Sequence, residues 1–245
     1  MDTSSFHGNT TRLESAFQNL LCAIFNRPYC ILDATELNIM TQMADYYCAL
    51  PILSNSLSAT FFNSPGLLTT LRTDPCQSLI LAYKLRHAPL FRDSLIRVPG
   101  PWSKPQFQEL KSHRDPSSLF LFNFVNTIHI SFSNKIIQLQ QSIFQLSTGY
   151  FPHYNENHRL QAKDMLDCAK ESVDNKHNLL LPKWFRRCRD RYLGTLVPEL
   201  LAPFTTNNLV LDKAAVAGKG DYENSFLCLE ISDAELPWDP TQFDW

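Results

Sequence analysis

The side chains best suited to chemistry are scattered along this chain. Seven cysteines stand at Cys22, Cys30, Cys48, Cys76, Cys168, Cys188 and Cys228, and none pairs with another at the C-x2-4-C spacing that a zinc site needs. Their odd number and their places on apolar helical faces predict reduced, buried thiols. His153 and His158 are five residues apart, which on a helix turns them about 140° from each other and off a common ligand face. No metal is expected. Gly218-Lys219-Gly220 lacks the other glycines and the strand-to-helix setting of a phosphate loop, so it reads as a flexible turn. There is no G-x-S-x-G element, and no cysteine has a neighbour that would both lower its pKa and serve as its base. The expectation is a non-catalytic protein with no cofactor. The enzyme alternative would need a cleft holding perturbed ionisable groups.

Two clusters suit binding better than reaction. Lys183, Arg186, Arg187, Arg189 and Arg191 alternate with Trp184, Phe185 and Tyr192, a composition that can stack bases and pair phosphates. On a helix, however, these cations mostly fall opposite Phe185, Cys188 and Tyr192, which fits a solvated face over a buried stripe. A net charge of −2 and a pI near 6.4 add no broad field toward phosphate or an anionic membrane, so no nucleic acid is expected. The tail DAELPWDPTQFDW sets Trp238, Phe243 and Trp245 among carboxylates. These rings are candidate anchors for a basic, apolar groove on a partner. The favoured alternative is that the tail folds back, with Trp238 covering apolar helix surface.

The elements that would carry these residues are helical. Leu13, Ala16, Phe17, Leu20, Leu21 and Ile24 follow helical spacing after a Thr11–Glu14 capping box, and Pro28 follows their end. A second helix begins at Asp33 and is apolar around much of its circumference, which makes it central. Pro51 suits the first turn of a third helix holding Leu53, Leu57 and Phe61. Asp74-Pro75 and Pro89 open two more, and Pro99, Gly100 and Pro101 force a break. Residues 117–134 carry both a strand-like alternation and a helical stripe. The stripe extends through Leu146, so a long helix is expected. Further helices are read over Asn157–Val173 and Pro182–Leu196, and the chain turns irregular after Phe204. Phe17, Leu21, Met40 and Tyr47 are expected to be buried among these helices. The longest uncharged run, Ser117 to Asn134, is too polar to span a bilayer. With no signal-peptide layout at its start, the chain is expected inside the cell, in cytoplasm or nucleus.

Residues Ser15 to Phe62, with LLCAIFNRPY and LNIMTQMADYYCALPILSNSL, resemble the last three helices of a BTB/POZ domain. The most specific part is Ala44-Asp45-Tyr46 followed by Leu50, Pro51 and Leu53. Through LILAYKLRHAPLFRDSLIRVPGPW and NSFLCLEISDAELPWDPTQFDW the chain is similar to BTB-domain proteins of filamentous fungi. The resemblance implies a protein-binding adaptor or scaffold, with a nuclear, transcription-related regulator as the alternative. Only Met1 to Glu14 precede the matching helix, where the family carries its strands and dimerising helix. The expectation is therefore a truncated gene model or a natural fragment without the usual dimer contacts or an assured cullin-ligase dock. The expected architecture is all-α with little or no sheet. It comprises a partial BTB-like region over residues 1–102, a second helical layer over 103–204 and an acidic, aromatic tail over 205–245. Other proteins are the expected partners, together with self-association through the N-terminal helices.

Overall fold

The structure is a computed structural model. It describes residues 10–100, 105–112, 116–148, 156–167, 169, 173–174, 179–191, 196–242 and 245. Among these the fold is all-α. The helices are α1 (Thr10–Ile24), α2 (Ala34–Tyr46), α3 (Leu50–Asn63), α4 (Pro65–Thr73), α5 (Pro75–Lys84), α6 (Ala88–Arg97), α7 (Pro116–Ser147), α8 (Glu156–Asp167), α9 (Pro182–Arg191) and α10 (Leu196–Thr205). Short 3-10 helices cover Gln106–Ser112, Gly220–Tyr222 and Asp233–Glu235, and a two-residue antiparallel pair joins β1 (Val173–Asp174) to β2 (Leu179–Leu180). The chain forms two compact units, one of Met1–Ser94 with Ile231–Trp245 and one of Leu95–Glu230.

In the first unit, local chemistry sets the helix ends. Asp33 is extended, and its carboxylate accepts the Glu36 N–H at 2.9 Å; Asp74 does the same for Gln77 at 3.0 Å, with Pro75 in the first turn of α5. Three helices close without glycine. Asn26, Cys48 and Arg86 each adopt a positive φ of 51°, 54° and 47°. After α2, Ala49 N–H reaches Ala44 O and Cys48 N–H reaches Asp45 O; after α5, His87 reaches Ala82 and Arg86 reaches Tyr83. These are paired C-terminal bonds around a left-handed residue, the position glycine usually takes. Helix α2 packs against α1, α3, α4 and α5, the central place its apolar circumference predicts.

The expected buried stripe needs correction. Met40 is buried, but Phe17, Leu21 and Tyr47 are exposed. Helix α1 has two apolar rows about one residue out of step, and it packs through Ala16, Leu20 and Ala23. That row is the one taken into the core, which leaves Phe17, Leu21 and Ile24 on the outer side. Thr11, read as a capping residue, is itself helical within α1. The thiols divide likewise. Cys76, Cys188 and Cys228 are buried, whereas Cys30 and Cys48, in the links that follow α1 and α2, are exposed. Cys168 lies outside the described residues.

In the second unit, the helical stripe over residues 117–134 prevails over the alternation. Leu121, Val125, Phe132, Ile136, Leu139, Ile143 and Leu146 of α7 are all buried, and a repeat maintained over so many turns outweighs local β-propensity. Phe185 lies 5.3 Å from Phe204 and 5.2 Å from Phe226, and Phe132 meets Phe226 at 5.2 Å. Trp184 is fully buried, and its indole N–H donates to Met165 O at 3.1 Å. Two points differ from expectation. Val173, read as the end of a helix, lies in β1, and α4 and α10 are additional; residues 192–195, in the expected Pro182–Leu196 helix, lie outside the described residues.

Candidate functional site

The first unit carries a group of exposed apolar side chains on α1 and at the end of α2. Phe17, Leu21 and Ile24 repeat at helical spacing on the outer face of α1, and Phe25 follows them. Tyr46 and Tyr47 end α2 beside this row. The Phe17 and Tyr47 rings are 6.2 Å apart and bridge the two helices; the Tyr46 and Tyr47 rings meet edge to face at 5.0 Å. Tyr46 is 81% exposed, Phe25 69% and Tyr47 56%. Scattered apolar residues are ordinary on a surface, but a contiguous set of this size is a feature of contact sites. Tyrosines suit such a site, since they offer large rigid area with a polar tip.

Polar contacts join the same two helices. Glu36 is buried, and one carboxylate oxygen accepts from Ser15 Oγ at 2.7 Å and Asn19 Nδ2 at 3.1 Å. The other accepts the Leu32 N–H at 2.7 Å. These bonds tie α1 to the start of α2 through a charge whose lone pairs are well used. Arg12 and Asp33 add an ion pair at 3.1 Å.

The motif residues occupy different environments. Ala44 is fully buried, Leu50 and Leu53 are buried, and Pro51 lies in the first turn of α3. Asp45 pairs with Lys84 at 2.8 Å on the surface, and Tyr46 belongs to the exposed face. In the tail, Trp238 packs edge-on against Phe91 at 5.0 Å and beside Tyr83 at 6.3 Å, so it folds back as favoured from sequence. Trp245 lies under the Arg86 guanidinium at 5.0 Å. Phe243 is outside the described residues.

The second unit's charged helix is engaged internally. Lys183 pairs with Glu223 at 3.6 Å, Arg186 with Asp190 at 3.1 Å and Arg191 with Asp164 at 3.1 Å, while Arg189 donates to Thr205 Oγ1 at 2.7 Å. Gly218 lies in a turn with φ of 76°, where an added Cβ would come within 2.6 Å of Pro182 O. That glycine therefore serves close backbone packing. Burial pushes the Cys228 thiol up to about 12, which keeps it protonated and poorly nucleophilic. Burial also lowers His87 to about 4. Among the described residues no group of three or more His, Cys, Asp and Glu side chains is placed to hold a metal ion, and no helix is long and apolar enough to cross a membrane.

The fold and this surface define an all-α chain with an exposed aromatic-aliphatic face on its first unit. Comparison with protein-family models, curated proteins and solved structures finds no match.

Proposed function

We propose that this chain acts by non-catalytic protein contact, as an adaptor or scaffold of BTB/POZ type, in the cytoplasm or nucleus. The observation that carries the reading is the continuous face of Phe17, Leu21, Ile24, Phe25, Tyr46 and Tyr47. The BTB resemblance supports it independently, since its motif contributes Tyr46 to that face and Ala44, Leu50 and Leu53 to the packing beneath. A second copy of the chain is the first partner to test. Light scattering on the purified chain across a concentration series should show mass rising with concentration. Tyr46→Ser with Tyr47→Ser should shift the profile toward monomer while leaving the melting temperature near the parent's, because both side chains are exposed. A clean monomer at all concentrations, with no binding of a hydrophobic dye, refutes association through this face.

A further inference from the structure

The C-terminal segment and the end of α5 enclose a cleft of about 390 Å³ in the first unit. That volume falls in the range of small-ligand sites. Tyr83, Trp238 and Trp245 give it aromatic walls, and Lys84 and Arg86 bring two cations to it. The Arg86 guanidinium is held in place by the Trp245 ring below it and by Gln242 Oε1, which takes an Nη1 hydrogen at 2.7 Å. A guanidinium has five N–H donors in a planar fork that matches a carboxylate. Among the described residues two carboxylates lie nearby, and Asp239 is close enough to Arg86 to feel its charge. Asp239 accepts from Thr241 N and Oγ1 at 2.8 and 2.7 Å, and Asp45 takes Lys84 at 2.8 Å. The Trp245 indole N–H is buried and meets no acceptor among the described residues. Buried donors are seldom left in that condition.

We propose that this cleft binds a small aromatic carboxylate, its ring against Trp238 and Tyr83 and its anion on Arg86, with Lys84 as the second cation. The site is separate from the protein-contact face, and neither reading depends on the other. The test titrates the full chain with phenylacetate, with phenylacetamide as the same ring without charge, and with acetate as the charge without a ring. Calorimetry gives affinity, and the indole N–H resonances of Trp238 and Trp245 report the place. Phenylacetate is expected to bind about tenfold or more tighter than either control, the factor that one charge-assisted contact supplies. Arg86→Gln should abolish that margin. Lys84→Met, which leaves the Arg86 contacts intact, should reduce it and keeps the test decisive if Arg86→Gln fails to fold. Equal affinities for the three compounds, or phenylacetate binding unchanged in a folded Lys84→Met and a folded Arg86→Gln, would overturn the proposal.

Discussion

Lowering the pH from 7 toward 4 should destabilise the first unit through His87. This side chain is buried between α3 and α6, with its ring 5.5 Å from Phe61. Its Nδ1 accepts the Leu90 N–H at 3.2 Å, capping α6, and its Nε2 lies 3.1 Å from Ser58 Oγ. Accepting at Nδ1 puts the single ring proton on Nε2, so a second proton would have to displace the cap. Burial lowers the pKa to about 4, against 6.5 for a free imidazole. Between those values the unfolded chain binds a proton that the folded chain refuses, so stability falls as pH falls through the window. The difference corresponds to about 2 kcal/mol lost at pH 5 and about 3 kcal/mol at pH 4. Urea denaturation of the parent and of His87→Asn, a residue that caps helices but does not titrate, isolates this contribution. The stability gap between the two should narrow by about 2 kcal/mol between pH 7.5 and pH 5. A gap that stays constant, or an NMR titration placing His87 near 6.5, refutes the reasoning.

Other substitutions probe the packing directly. Glu36→Gln puts an amide N–H toward one of three donors around a buried carboxylate, and should cost about 2 kcal/mol in chemical denaturation; an unchanged midpoint would mean that the network does not join α1 to α2. Leu57 is fully buried on α3, so Leu57→Asp should cost about 4 kcal/mol through an unpaired buried charge; a variant melting like the parent would make α3 peripheral. Cys48→Gly relieves a left-handed residue at the end of α2 and should stabilise by about 0.5 kcal/mol, the strain released less the added chain entropy; a lower melting temperature would show that Cys48 contributes more than it strains.

The all-α class was legible because several helices announce themselves through prolines and acidic caps. Asp33, Pro51, Asp74 with Pro75, and Pro89 all lie at or next to the first turns they predict. The long α7 was legible because its apolar stripe outlasts the local alternation. Helix ends were harder to read. Asn26, Cys48 and Arg86 hold the left-handed positions that glycine usually marks, so the commonest stop signal is missing from the sequence. Helix α10 was not read from sequence, and it carries Pro203 in its interior, where proline is unfavourable. The fold-back of Trp238 was the favoured of two readings, but the cleft it forms with Arg86 joins positions more than 150 residues apart. Spacing along a chain carries no sign of that meeting.

The exposed face was misjudged for a physical reason that also supports its role. Hydrophobicity alone ranks Phe17 and Leu21 above Ala16 and Ala23, yet those alanines, with Leu20 between them, form the row that α1 buries. Once that row is committed to α2 and α3, the larger row is only partly covered by the first unit's described helices, with Phe17, Leu21 and Ile24 between 37% and 41% exposed. Folding alone does not require three bulky apolar side chains there, because polar residues at the same positions would leave the buried row intact. Their presence beside Tyr46 and Tyr47 is therefore better explained by contact with another surface than by the stability of this one.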